Sequence, residues 1–304
     1  MIATSPITYR GEDMYDCGIE MMDDCSSLLD QPEAMRSRLQ KNGYLFFKGF
    51  HSRDEIMAGR KVVATKLQTD GILSLDADPM LLEIAEGKQA PGFDGGVLKN
   101  LFPNGWETIH NTLYAGKRMA LFQTIFGETP RHYDFTWLRL VNPGPATAIH
   151  ADSVYMGRGT HEVLTCWTPW GDNPLEMGGL IILEGSNQRG DMLNGYWNSD
   201  VDAFCANTPN KKDGWATNHA GFIRGTAKEI LTMLGGRWMT ADYEAGDIVI
   251  FPIHTVHGGT DNHTTRVRLS SDTRYQRASA AVDERWIGQS PPAHGPNAKR
   301  GMIC

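Results

Sequence analysis

The chain has 304 residues, of which 40% are hydrophobic and 21% charged, and its formal net charge is −7 at pH 7. These values are ordinary for a globular protein, and the negative charge argues against nucleic acid as a partner. No apolar run approaches the roughly 18 residues that a membrane span needs, and the first residues lack the pattern of a secretory signal. Five cysteines without a CxxC pair indicate free thiols in a reducing compartment, so we expect a cytoplasmic protein.

The first part of the chain predicts helices. Helical patterns cover residues 31–42, 52–68 and 106–126. Asp30 is expected to cap the first helix and Gly43 to end it, and the second helix opens on a capping box made by Ser52 and Glu55. Between these two helices, YLFF at residues 44–47 is typical of a buried strand.

From residue 135 onward, short β-type runs replace the helices. They are FTWLRLV, ATAIHADSVYM, EVLTCWTPW, GLIILEG, DIVIFPIHTVH and RVRLSSDTRYQ. This order favours a β-rich α+β fold, a sandwich or barrel with N-terminal helices packed outside. No linker divides the chain, so we expect one domain over residues 1–304. Residues 187–237 interrupt the strands and are predicted to form a long insertion or lid.

A candidate metal site begins at His150 and Asp152 in the run ATAIHADS. Side chains two positions apart on a strand point to one face, so both could reach the same ion. His257 in FPIHTVHGG, just past the apolar run DIVIF, is the candidate third ligand. Two histidines and one carboxylate form the facial triad of non-haem Fe(II) oxygenases. Without the other residues, a hydrogen-bonded His–Asp pair in a β protein would explain the motif equally well.

A dicarboxylate co-substrate would need a cation for its far carboxylate, and the planar fork of arginine suits that task. Arg266, Arg268 and Arg274 share one face of the strand after His257 by parity, so all three are candidates. Ser270 lies on the same face and can donate a hydroxyl group.

Four residues that flank the His–Asp run are further candidates for contact with the co-substrate: Trp137, Arg139, Tyr155 and Thr165. Inward polar groups beside a metal often orient a ligand. Core packing is the competing interpretation for Trp137. His254 competes with His257 as a metal ligand, although an ordinary surface or core position is the simpler interpretation.

The ordered combination of HxD, a distant HGG and Arg268 resembles the phytanoyl-CoA dioxygenase-like (PhyH) family of Fe(II)/2-oxoglutarate-dependent oxygenases. The resemblance extends over residues 40–276 and includes GYLFFKGFHSRDEI and DNPLEMGGLIILEGSNQ, where Asn187 replaces a histidine of the family. It implies a double-stranded β-helix, a jelly-roll or cupin-like core, and the use of Fe(II), 2-oxoglutarate and O2. Family spacing places the co-substrate arginine eleven positions after His257, which favours Arg268 over Arg266.

The resemblance predicts a hydroxylase that acts on an unactivated C–H bond of a small organic molecule and releases succinate and CO2. Related halogenases replace the metal carboxylate with a small residue, whereas Asp152 is present here. Desaturation, cyclisation or demethylation are alternative outcomes, and a non-catalytic jelly-roll binding protein is the alternative of another class. Four cations near the mouth of the site are candidates for an anionic substrate: Arg131, Arg139, Arg158 and Lys211. The sequence leaves the oligomeric state open.

Overall fold

The computed structural model describes residues 5–91, 96–190, 193, 195–203 and 221–294. Within these ranges the α-helices are α1 (Pro32–Asn42), α2 (Arg53–Thr69), α3 (Leu98–Leu101), α4 (Trp106–Tyr114), α5 (Gly116–Phe126), α6 (Ser153–Met156) and α7 (Ala227–Leu234). The strands are β1 (Thr8–Tyr9), β2 (Glu12–Asp13), β3 (Glu20–Met21), β4 (Leu45–Phe47), β5 (Pro130–His132), β6 (Trp137–Val141), β7 (Leu164–Pro169), β8 (Leu180–Leu183), β9 (Trp238–Thr240), β10 (Ile248–Pro252), β11 (His257–Gly259) and β12 (Arg268–Arg277).

Two sheets form the core. The larger has the order β4-β10-β7-β12-β5, with β6 also paired to β12, and the smaller has the order β11-β8-β9-β3. A buried apolar cluster joins the facing sides of the two sheets and includes Phe46, Trp167, Ile182, Met239 and Phe251. The predicted β-rich, jelly-roll-like core is therefore confirmed.

The outer side of the larger sheet packs against helices. One buried cluster joins sheet residues such as Leu45 and Cys166 to Ile56 of α2 and Phe122 of α5. Because successive side chains of a strand point to opposite faces, the outward direction of Cys166 turns Thr165 inward, between the sheets. Alternation along β7 thus delivers a polar residue to the interior.

Three local predictions need correction. Residues 106–126 form two helices rather than one, because the backbone at Ala115 is extended with φ −134° and ψ 177°. The N-cap of α1 is Gln31, not Asp30, and it makes no side-chain capping bond. The His–Asp run is not a regular strand, since His150 forms isolated bridges and Asp152 stands directly before α6.

The predicted insertion at residues 187–237 lies partly outside the described residues. Its described parts contain short 3-10 turns, a bridge from Phe222 to His150, and α7 with a complete capping box at Thr226 and Glu229. Whether it acts as a lid stays a prediction. No helix in the described ranges is long and apolar enough to cross a membrane.

Candidate metal centre and co-substrate site

The backbone brings His150 and His257 face to face. Each donates its backbone N–H to the carbonyl of the other, at 2.9 Å and 2.8 Å. Such a reciprocal pair is the hydrogen-bonded pair of an antiparallel ladder, which places the two side chains on the same side. The ring centroids are 4.3 Å apart and both residues are buried. Two imidazoles from segments more than 100 positions apart thus share one point in the interior.

The outer nitrogen of each imidazole is already engaged. Nδ1 of His150 lies 2.8 Å from the carbonyl oxygen of Ala148, and Nδ1 of His257 lies 2.9 Å from that of Thr255. A carbonyl only accepts, so each Nδ1 carries the proton and each Nε2 keeps a free lone pair. This is the arrangement by which proteins orient histidine ligands of metals.

Asp152 completes the cluster with one oxygen and is held in place by the other. Its Oδ1 lies 3.8 Å from Nε2 of His150 and 3.9 Å from Nε2 of His257. Its Oδ2 accepts hydrogen bonds from Oγ1 of Thr165 at 2.6 Å and from Nη2 of Arg274 at 2.9 Å. One ligand atom from each of the three residues lies within 4.8 Å of the others, so the cluster can hold a single metal ion.

The local electrostatics keep these groups in the protonation states that a metal requires. Burial, with the nearby His257, lowers the pKa of His150 to about 3, so the ring is neutral at pH 7. Burial alone would raise the pKa of Asp152, but Arg274, His257 and His150 together hold it below its ordinary value. A neutral imidazole and an ionised carboxylate are the forms that bind Fe(II).

Arg268 is a buried cation without an anion. It is 6% exposed, and the described residues provide no ion-pair or hydrogen-bond partner for its guanidinium group. Burial lowers the pKa of Arg268 to about 10, so it stays charged at pH 7. The hydroxyl of Ser270, two positions along β12, is also buried and has no hydrogen-bond partner within the described ranges. A buried charge is stable only when paired, so this place calls for an anionic ligand.

The other two candidate arginines differ from Arg268. Arg266 is exposed. Arg274 is committed to Asp152, and its guanidinium carbon lies 4.4 Å from the ring centroid of Trp137. His254, the competing histidine, is 3.0 Å from a ring nitrogen of His161 and is not part of the cluster.

A cavity of about 440 Å³ opens beside the metal ligands His150 and Asp152. Trp137 and Tyr155 line it, whereas Thr165 uses its hydroxyl on Asp152; contact of these three with a co-substrate stays a prediction. Sequence reasoning missed seven lining residues, four of which carry aromatic rings: Phe135, Phe222, Trp286 and His294. Of the four cations proposed near the mouth, Arg139 lines the cavity and Lys211 lies outside the described residues.

A sequence model described as Phytanoyl-CoA dioxygenase (PhyH) matches residues 104–270, more than half of the chain. The chain belongs to this family. As a PhyH-family protein it is a non-haem Fe(II)- and 2-oxoglutarate-dependent oxygenase, as the sequence resemblance implied. The alternative of a binding protein without catalysis is therefore set aside.

Solved structures share the fold of this PhyH-family chain. EctD from S. alaskensis, solved with 2-oxoglutarate and 5-hydroxyectoine, superposes with a TM-score of 0.57 at 14% identity, covering 97% of this chain and 96% of that one. The epimerase SnoN from nogalamycin biosynthesis gives 0.54 at 17% identity, covering 83% and 85%. The carbocyclase SnoK from nogalamycin biosynthesis gives 0.53 at 16% identity, covering 86% and 89%. At these identities the likeness shows the double-stranded β-helix fold.

Proposed function

We propose that His150, Asp152 and His257 hold Fe(II), and that Arg268 binds the far carboxylate of 2-oxoglutarate with help from Ser270. The convergence of two free Nε2 lone pairs and one carboxylate oxygen in a buried site carries the metal assignment. The unpaired buried guanidinium group carries the co-substrate assignment. Both donor sets match the chemistry of the groups that they would hold.

The reaction that fits this site is hydroxylation of a C–H bond. The bound iron supplies activation of O2, and the balanced reaction converts substrate, 2-oxoglutarate and O2 to hydroxylated product, succinate and CO2. The protein's own residues hold the metal ligands in position. Thr165 and Arg274 fix the carboxylate of Asp152, and the two Nδ1–carbonyl bonds fix the imidazoles.

A small organic molecule is the proposed substrate class. The cavity beside the metal ligands has room for one, at about 440 Å³. The solved structures of SnoN with nogalamycin RO and of EctD with 5-hydroxyectoine show that this fold takes up small molecules. Both the single domain over residues 1–304 and a cytoplasmic location remain part of the proposal.

Anaerobic titration with Fe(II) and then 2-oxoglutarate tests the proposed centre. A weak visible charge-transfer band should appear only after both additions. It should be lost in His150→Ala, which loses a metal ligand, and in Arg268→Ala, which should still bind Fe(II). A band of full strength in both variants would contradict the assignment of these residues.

Asp152→Ala tests the catalytic role of the carboxylate. This variant should lose conversion of 2-oxoglutarate to succinate by at least about 100-fold, because the third ligand is gone and Arg274 is left unpaired in the interior. Succinate is measured by chromatography after incubation with Fe(II) and air. An Asp152→Ala protein that keeps full turnover would contradict the proposed role of Asp152 as a metal ligand.

A further inference from the structure

The cavity beside the metal ligands has an unusually aromatic wall. Six rings line it: Phe135, Trp137, Tyr155, Phe222, Trp286 and His294. Several of them touch one another, with centroid distances of 4.7 Å for Phe135–Trp137, 4.8 Å for Trp137–Trp286 and 4.6 Å for Trp286–His294. Large aromatic surfaces bind flat, apolar groups well through stacked or edge-on contacts.

Part of this wall comes from outside the region that the family model matches. Trp286 and His294 follow residue 270, the last residue of the match. Their segment is anchored by buried charge, because Arg285 donates from Nη1 to Asp202 at 2.7 Å and Nδ1 of His294 lies 2.7 Å from the same carboxylate. The segment is thus fixed against the metal site, and it adds a surface that the shared core does not supply.

Several hydrogen-bond donors of the cavity lining have no partner among the described residues. Nε1 of Trp286 and both Nε and Nη1 of Arg274 are buried and have no partner among the described residues. Both side chains line the cavity. The nearby carboxylates are already engaged, since Asp152 pairs with Arg274 and Asp272 pairs with Nε of Arg139 at 3.0 Å. Buried donors are rarely left unsatisfied, so a ligand that presents an acceptor oxygen would suit this place.

Aromatic walls can also bind cations, but this cavity already contains the guanidinium groups of two arginines. The guanidinium group of Arg274 lies over the ring of Trp137 at 4.4 Å, and Arg139 lines the same space. Arg274 therefore already occupies a ring face that a cationic substrate would need. This arrangement favours a neutral or anionic ligand that presents an oxygen atom.

We infer that the substrate is a planar aromatic or conjugated ring compound that carries an acceptor oxygen, as a carbonyl, phenolate or carboxylate group. The ring lies against Trp137 and Trp286, and the oxygen accepts from Nε1 of Trp286 and from the free donors of Arg274. The inference rests on the proposed function, because it takes this cavity as the substrate site.

Three small probes separate the two features of this substrate class. The full chain, loaded with Fe(II) and saturating 2-oxoglutarate under argon, is titrated by calorimetry with 2-naphthoate, 2-naphthylmethylammonium and cyclohexanecarboxylate. Saturating 2-oxoglutarate keeps the carboxylate probes away from Arg268. 2-Naphthoate should bind at least about tenfold more tightly than either of the others, since only it has both the flat ring and the acceptor.

A tryptophan variant tests the donor itself. Trp286→Phe keeps an aromatic ring but removes the N–H group, so it should weaken 2-naphthoate on the order of tenfold and leave 2-naphthylmethylammonium unchanged. Trp106→Phe is the matched control, because Trp106 lines a different cavity. It should change none of the three affinities.

The outcomes distinguish this inference from the proposed function. Equal affinities for the three probes, or unchanged binding of 2-naphthoate by Trp286→Phe, would overturn the inferred substrate class. If the charge-transfer band is present in the same samples, the oxygenase centre stands even then. Absence of the band in the wild-type chain would instead overturn the proposed function. The wild-type comparison of probes decides the matter even if Trp286→Phe fails to fold.

Discussion

Arg274 donates from Nη2 to Oδ2 of Asp152 over 2.9 Å, and both side chains are only 2% exposed. With Thr165 on the same oxygen, Oδ2 is fully engaged and only Oδ1 faces the two histidines. A carboxylate held in this way can offer a metal one oxygen but not two. The remaining positions around a bound metal would then be available for the co-substrate and O2.

Arg274→Gln should therefore weaken Fe(II) binding by about 10–100-fold, the usual effect of losing a group that orients a metal ligand. The measurement is an anaerobic Fe(II) titration of the apo-protein. Arg277→Gln is the control, because Arg277 ends the same strand but is more than one-third exposed. An Arg274→Gln protein with wild-type affinity would show that Asp152 needs no such support.

Thr165 gives a second and milder test of the same arrangement. Thr165→Val removes the hydroxyl that donates to Asp152 at 2.6 Å while keeping the shape of the side chain. We expect it to destabilise the apo-protein by about 1–3 kcal/mol and to shift the charge-transfer band, because the carboxylate loses a donor. Thr165→Ser restores the hydroxyl and should restore both properties. Equal behaviour of the valine and serine variants would contradict the role assigned to the hydroxyl.

Arg268 should bind the co-substrate at a cost to the stability of the apo-protein. Arg268→Met removes a buried charge that no described residue pairs, so it should raise the free energy of unfolding of the apo-protein by about 1–4 kcal/mol. The same change should raise the Kd for 2-oxoglutarate by at least about 30-fold and leave Fe(II) affinity nearly unchanged. Urea unfolding and calorimetry measure the two effects. Arg266→Met, at an exposed position, should change neither the free energy of unfolding nor the Kd for 2-oxoglutarate. A destabilised Arg268→Met protein would mean that the guanidinium group of Arg268 has a structural partner.

His51, which lies outside the metal site, should make the free energy of unfolding depend on pH. Burial and the neighbouring Arg118, which donates to its Nε2 at 2.7 Å, lower the pKa of His51 from 6.5 to about 3. Below pH 6.5, His51 binds a proton in the unfolded chain but stays neutral in the folded chain until the pH approaches 3. The free energy of unfolding therefore falls as the pH drops from 6.5 toward 3, by up to about 1.4 kcal/mol per pH unit from this group.

Substitution His51→Gln should remove that contribution while leaving an acceptor for Arg118. Urea unfolding of the apo-protein at pH 7, 6 and 5 gives the slope for both proteins. The variant should lose stability less steeply as the pH falls. Identical slopes would mean that His51 takes up its proton in the folded state near its ordinary pKa.

Much of the site followed from sequence because its signals are local. The HxD spacing, the second histidine after an apolar strand and an arginine eleven positions later can all be read directly from the sequence. The structure brings His150, Asp152 and His257 within 4.8 Å, although the first two do not lie on a regular strand. Their role as iron ligands stays a prediction until metal is bound.

Strand parity placed Arg266, Arg268 and Arg274 on one face but could not rank them by environment. Only the packing shows that Arg266 is exposed, that Arg268 is buried with no partner in the described part of the chain, and that Arg274 pairs with Asp152. The reason is that parity fixes which way a side chain points, whereas its neighbours depend on the register of other strands. Arg274 and Asp152 are 122 positions apart, and no local pattern connects them.

The sequence by itself determined the class of fold, the order of helices before strands and the residue types that suit iron and 2-oxoglutarate. The tertiary structure alone decided which oxygen of Asp152 faces the histidines and which rings wall the cavity. Trp286 and His294 reach that wall from a segment after the last strand, where hydrophobic periodicity carries no information. Contacts of this kind arise from how distant segments close over one another, and local physical chemistry does not encode them.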